Sequence, residues 1–265
     1  MLPTCRTAGD GFAIPTFDIQ PRDVAGLIDA LQEFQGLFHD CFPRSESRAH
    51  FFAYMVGQLS PLERKSIEPI ALRAPGGSVR SLQRFLSEVA WEEEHMRWTY
   101  HQVVAEAMGD PEGVLMFDET GCVKKGQDSV GVARQYGGPL GKVEHGPVGV
   151  FAAYASRQGY ALVDKQLFLP EAWFTDAYAT RRTKCNVPQE VTFQSKPQLA
   201  AAMLQARRQE GLLPFKYLGA DCLYGNRPDF LDAIDACVGV TALVAIPSET
   251  RCGLQRPQTT EKGYT

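Results

Sequence analysis

Gly113-Val-Leu-Met-Phe-Asp118-Glu-Thr120 is an apolar run that ends abruptly in a carboxylate. Val114 to Phe117, with Gly113 before them and Gly121 just past Thr120, read as a buried strand. A strand that delivers Asp118 at its C-terminal end puts a charge at the edge of the core. That is tolerable only where the carboxylate meets solvent, a hydrogen-bond donor or a cation. The pattern recurs in Phe215-Lys-Tyr-Leu-Gly-Ala-Asp221-Cys-Leu-Tyr-Gly225. The two acids are far apart in the chain, so only the fold can bring them together. Two strand-end aspartates without a histidine or cysteine cluster beside them point to hard-cation chemistry. The structural alternative is an acid held in a salt bridge or a turn.

The surrounding composition bounds the function class. A chain of 265 residues suffices for one large or two small domains with a real core. Hydrophobic content of 44% and charged content of 22% are ordinary for a soluble globular protein. The formal net charge of −4 carries no nucleic-acid signature. No apolar run approaches the roughly 18 residues of a membrane span, and the N-terminus lacks the apolar core of a signal peptide. The expectation is a cytoplasmic protein with no membrane partner. Seven cysteines without a C-x-x-C pair read as reduced thiols, which argues against zinc.

Residues 1–20 are an irregular lead-in. From Pro21 the steps of Val24, Leu27, Ile28, Leu31, Phe34 and Leu37 are helical, with Asp23 suited to the N-terminus and Cys41-Phe-Pro43 as the break. Arg48 to Leu59 forms the next helix, and Ser60-Pro61-Leu-Glu63 reads as the capped start of another. Ala74-Pro-Gly-Gly77 is a turn, Ser78 a cap for a helix with Leu82, Phe85 and Leu86, and Trp91 to Met108 a final helix. Short helices with Gly/Pro turns fit a helix-turn-helix-like region over 21–110, or a bundle that binds nothing. Arg44 to Met108 holds eight Arg/Lys against eight Asp/Glu, so no basic stripe separates these two. Glu92, Glu93, Glu94 and His95 point in different directions on a helix and form a solvated face rather than a chelate.

After Asp118, the segment Val123 to Gly138 mixes glycines with Lys124, Lys125, Arg134 and Gln135, groups able to grip phosphate oxygens or simply to line an exposed turn. It is not a P-loop. Gly146 to Ala155 and Tyr160 to Leu169 make a hairpin across Ser156-Arg-Gln-Gly159. Pro170 to Asp176 caps the sheet edge, and Arg181-Arg-Thr-Lys184 is a basic cluster. Lys196 to Gly211 and Asn226 to Cys237 are helices, Val238 to Ile246 a buried strand, and the chain from Pro247 a polar tail. The order over 111–246 predicts a mixed α/β sheet, ribonuclease H-like, in which the strands carrying Asp118 and Asp221 lie side by side and share metal ions.

Leu115-Met-Phe-Asp-Glu-Thr-Gly-Cys-Val-Lys-Lys-Gly-Gln-Asp-Ser-Val-Gly-Val-Ala-Arg-Gln-Tyr136 resembles the first catalytic block of the IS701 family of DDE transposases. Leu167-Phe-Leu-Pro-Glu-Ala-Trp173, Val187-Pro188, Phe193-Gln-Ser-Lys-Pro197 and Gly219-Ala-Asp-Cys-Leu-Tyr-Gly225 are similar too. Upstream, Tyr54-Met-Val-Gly-Gln-Leu-Ser60, Glu63-Arg-Lys65 and Leu82-Gln-Arg-Phe-Leu86 look like that family's helical DNA-binding region. The resemblance implies that Asp118 and Asp221 are the first two acids of the DDE triad. They would hold two Mg²⁺ or Mn²⁺ ions about 4 Å apart for phosphoryl transfer. It implies double-stranded DNA as partner (transposon terminal inverted repeats and target), a homodimer on DNA and a nucleoid-associated location. Lys124, Lys125, Arg134, Arg181 and Arg182 would contact DNA phosphates. The third acid of the family is a glutamate on a later helix, expected beyond the end of this chain; Glu249 sits in a loop setting and is not assigned that role. Glu119 is aimed away from the face of Asp118 by strand alternation. Two rival readings are a DNA-binding remnant without catalysis and a small-molecule phosphohydrolase.

Overall fold

The computed structural model describes residues 26–74, 77–126, 128–137 and 142–250. The expected lead-in, residues 21–25 of the first helix, Pro75 and Gly76 of the turn, Gly138 and the tail from Arg251 lie outside them. The chain divides into two compact units, residues 1–103 and 104–265.

The first unit is helical. α1 (Leu27–Gly36) leads through a short 3-10 turn at His39–Cys41 to α2 (Ser45–Leu59), α3 (Ile67–Arg73), α4 (Val79–Ser87) and α5 (Glu93–Met108), whose residues from Val104 on belong to the second unit. Phe42 is wholly buried and packs on the rings of Phe51, Phe85 and Trp91 at centroid distances of 5.0, 5.8 and 5.8 Å. Ile70, Leu82 and Phe85 complete this core, with Phe34 of α1 packed against it, while Leu27, Ile28 and Leu37 of the expected apolar stripe are exposed. Ser78 caps α4 as its sequence predicts, accepting from the Ser81 amide. The Ser60-Pro61 start is a correction. No helix begins there; Ser60 donates its hydroxyl back to the Gly57 carbonyl at 2.6 Å and so closes α2, while α3 starts six residues later behind Ser66. A serine can satisfy an orphan carbonyl behind it as readily as an orphan amide ahead.

The second unit is built on a five-stranded mixed sheet. Its strands are β1 (Val114–Gly121), β4 (Val148–Ser156), β5 (Gly159–Phe168), β6 (Tyr217–Ala220) and β7 (Thr241–Val244), in the order β5-β4-β1-β6-β7. β1, β4 and β5 are antiparallel neighbours, whereas β6 and β7 run parallel to β1. A separate two-stranded hairpin, β2 (Ala133–Gly137) with β3 (Lys142–Gly146), is inserted between β1 and β4. Setting that insertion aside leaves the strand order 3-2-1-4-5, the ribonuclease H-like sheet expected from the sequence. The short helix α6 (Ala179–Lys184) follows β5. The longer α7 (Lys196–Glu210) and α8 (Pro228–Asp235) cover one face. α7 opens with a capping box between Ser195 and Gln198 and closes on Gly211, whose φ of 67° suits glycine.

Only one sheet face is covered among the described residues. Leu115, Phe117, Val150, Ala152, Tyr154 and Leu218 are buried beneath α7 and α8, with Phe230 of α8 edge-on to Phe117 at 5.5 Å. The strand register sets Leu162, Ala153, Met116, Gly219 and Leu243 in one row across the other face. Met116 is 38% and Leu243 74% exposed, so neither β1 nor the last strand is buried on both sides as the apolar runs predict. A continuous apolar run reads the same whether one face or two is covered.

The β1–β6 pair is tied at its start. The Lys216 and Tyr217 amides both donate to the Gly113 carbonyl, and the Lys216 ammonium and Tyr217 hydroxyl both reach the Glu112 carboxylate, which the Lys216 hydrogen bond holds below the usual carboxylate range. Buried Tyr154 accepts from the Asp110 amide at 2.9 Å and donates to the Pro214 carbonyl at 2.8 Å, joining the lead-ins of both strands. Tyr154→Phe removes both of these part-buried hydrogen bonds and should cost about 0.5–1.5 kcal/mol for each. A denaturation midpoint that does not move would contradict this role.

Candidate active site

Asp118 and Asp221 meet by register. Phe117 of β1 is the parallel partner of Ala220, the last residue of β6, and each aspartate is the next residue along the chain. Both side chains are exposed where the parallel β1–β6 ladder stops. β1 does not end at Asp118 as its sequence predicts but runs on beside β4 to Gly121, with Asp118 on the bare face beside Met116 and Thr120. One oxygen of Asp118 accepts from the Glu119 amide at 2.7 Å. One oxygen of Asp221 accepts from the Leu223 amide at 2.9 Å, while the Asp221 carbonyl accepts from the Tyr224 and Gly225 amides. This wraps residues 221–225 into a tight turn. A Cβ at Gly225 would collide with the Ala245 carbonyl, so only glycine lets the turn lie against the end of β7.

Glu119 points to the covered face. Its two oxygens are split between Lys196 Nζ at 3.1 Å and the Tyr224 hydroxyl at 2.8 Å. The Glu119 and Lys196 side chains are only 14% and 15% exposed, and the Lys196 ammonium also lies 5.6 Å from the centroid of the Phe168 ring. Tyr224 is fully buried; burial first, then the charge of Glu119 and its hydrogen bond, then the charges of Asp118 and Asp221, push its phenol far up. Tyr224 therefore stays a donor to Glu119.

Asp118 and Asp221 present oxygen donors only, the set preferred by a hard divalent cation. Among the described residues there is no cluster of three or more His, Cys, Asp or Glu side chains able to hold a metal. A cation held by this pair would need its remaining ligands from water, phosphate oxygens or a further acid.

The expected basic residues lie on the segments that follow β1 and β5. Lys124 and Lys125 are exposed on the loop that leaves β1, and Arg134 is exposed on β2. Arg181 and Arg182 are half-buried. Their guanidinium groups lie 4.8 Å from the Tyr178 ring centroid and 5.0 Å from that of Phe174. Trp173, wholly buried, donates its indole N–H to the Val132 carbonyl at 3.1 Å and so joins the loop after β1 to the segment after β5. Lys184 on α6 adds an exposed tie to Asp128 at 2.7 Å.

A family model for the DDE superfamily endonucleases matches residues 37–265. The chain belongs to this family. It is also 27% identical over 231 residues to a protein of Microchaete diplosiphon described as a probable transposase for insertion sequence element IS701. That match covers 87% of this chain and 57% of the relative, so the chain spans little more than half the relative's length. Among the described residues no helix is long and apolar enough to cross a membrane.

In this DDE-family chain the sequence reading missed two partners at the site, Lys196 and Tyr224. One signal was available. A lysine in the first position of α7 opposes the helix dipole, and so needs a carboxylate nearby. The β2–β3 hairpin was also missed, although Gly137-Gly-Pro139 separates two five-residue runs.

The tie between Asp128 and Lys184 sets a pH expectation. The Lys184 hydrogen bond and then its charge hold Asp128 below the usual carboxylate range, and the same bond raises Lys184. A lowered carboxyl stabilises fully above its unfolded value, about 3.9 for Asp, and stops doing so as pH falls through the folded value. The raised lysine keeps its share until pH climbs through its own folded value, above the usual lysine range. The Asp128–Lys184 tie is thus present across the neutral range and is lost in acid, and again only in strong base. Hydrogen exchange of residues 122–130 at pH 7 and at pH 3 checks this; equal protection of the loop at both would contradict it.

Proposed function

We propose that this chain carries the catalytic centre of a transposase that binds transposon ends and cuts and joins DNA strands at Asp118 and Asp221. The observation that carries the reading is the β1–β6 register, in which two exposed aspartates follow directly on the last paired residues, Phe117 and Ala220. Mg²⁺ or Mn²⁺ held there, as a pair of ions, would supply Lewis-acid activation of a water or 3′-hydroxyl and stabilise the departing oxygen. Asp118 and Asp221 bind and orient. The turn at 221–225 and the Glu119 amide hold their carboxylates in place. Lys124, Lys125, Arg134, Arg181 and Arg182, on the segments that follow β1 and β5, contact the DNA phosphates and set the position of the strand to be cut. The helical region over 21–110 takes the terminal inverted repeats, and a second copy of the chain joins on the DNA as a homodimer.

A second reading, a DNA-binding remnant without catalysis, draws support from the lack of a three-carboxylate cluster among the described residues. One assay separates the two: labelled transposon-end DNA with Mg²⁺ or Mn²⁺, scored for binding and nicking in the same tubes, with the Asp118→Ala variant in parallel. Metal-dependent nicking that disappears in the variant is the expected result. Binding without nicking would favour the remnant, and neither from folded protein would overturn both.

A further inference from the structure

We propose that Glu119 is a positioning residue, which clamps the Asp221 turn against β1 through Tyr224 and anchors the start of α7 through Lys196. It rests on the reading of Asp118 and Asp221 as cation ligands. β6 ends at Ala220, so its ladder with β1 stops one residue short of the two aspartates, while β1 runs on beside β4 to Gly121. Past that point a 2.8 Å hydrogen bond from the Tyr224 hydroxyl to Glu119 ties the Asp221 turn to β1. The turn is internally fixed, because the Leu223, Tyr224 and Gly225 amides all donate to Asp221. Pinning Tyr224 therefore pins the Asp221 carboxylate. Lys196 adds a charge balance. It sets one positive charge against Glu119, in a place where Asp118 and Asp221 already put two negative charges close by. With both oxygens engaged and its side chain on the covered face, Glu119 is a support for the ligands and not itself a ligand.

The test uses Mn²⁺ titration and backbone hydrogen exchange on the whole chain and its Tyr224→Phe, Lys196→Met and Glu119→Gln variants. Tyr224→Phe keeps the buried ring and removes only the hydroxyl, so folding is expected to survive. Its Mn²⁺ affinity should fall by about 10- to 100-fold, as for other outer-shell partners, and the Tyr224 and Gly225 amides should exchange faster without metal. Lys196→Met should lower affinity more than the Lys196→Met/Glu119→Gln double variant, which removes the stranded charge. Affinity within twofold of the parent chain in folded Tyr224→Phe, with unchanged exchange, would overturn the proposal. So would a Glu119→Gln variant that loses Mn²⁺ as completely as Asp118→Asn with the turn still protected, since Glu119 would then be a ligand. If the parent chain binds no Mn²⁺, the cation reading fails by itself, and the exchange data still decide whether the clamp exists.

Discussion

Metal-dependent nicking should fall by more than about 100-fold in Asp118→Asn and again in Asp221→Asn, while the fold survives. Outer-shell partners of a metal typically cost about 10- to 100-fold when lost, and a direct ligand must exceed that. Asparagine keeps the size of each side chain and an acceptor oxygen for the Glu119 or Leu223 amide, and removes only the charge. Both positions are exposed, so no buried group is stranded and the denaturation midpoint should barely move. The two losses should not add. Residues that act as one unit fail together, and the double variant should be no worse than either single one. A single variant retaining a tenth of the parent rate would rule out the shared centre.

Trp173→Ala should be the most destabilising of these changes, at about 3–5 kcal/mol. The ring is fully buried, packs on Tyr178 at 5.5 Å and holds the Val132 carbonyl. Its removal opens a cavity and leaves that carbonyl without its donor. Trp173→Phe keeps most of the volume and should cost much less, mainly the lost hydrogen bond at roughly 1–3 kcal/mol. Because Trp173 joins the loop bearing Lys124 and Lys125 to the segment bearing Arg181 and Arg182, DNA affinity should drop in Trp173→Ala even where the protein stays folded. Denaturant unfolding together with DNA binding at one salt concentration measures both effects. A stable Trp173→Ala protein with full DNA affinity would show that this joint does not organise the basic residues.

Much of this was legible in the chain because the signals were local. Val114 to Phe117 marked the first strand, which runs on to Gly121, Lys196 to Gly211 marked α7, and Ser156 to Gly159 closes the hairpin. The pairing of the two acid-bearing strands followed from the element order. Ser60 was misread because a cap signal has no direction until the hydrogen bond is seen. The burial of β1 and β7 was overstated because apolar runs do not reveal how many sheet faces are covered. The Glu119–Lys196–Tyr224 arrangement spans β1, α7 and the turn after β6, and residues so far apart in sequence meet only through the sheet order. Strand alternation correctly sent Glu119 to the other face from Asp118, but could not name what it would meet there.

The most direct measurement is a Mn²⁺ titration of the chain beside Asp118→Asn, Asp221→Asn and the double variant. Adjacent carboxylates sharing an ion predict that the parent chain binds and that each single variant loses as much affinity as the double. Parent-like affinity in either single variant would mean that the register of β1 and β6 brings Asp118 and Asp221 together for some purpose other than holding a metal.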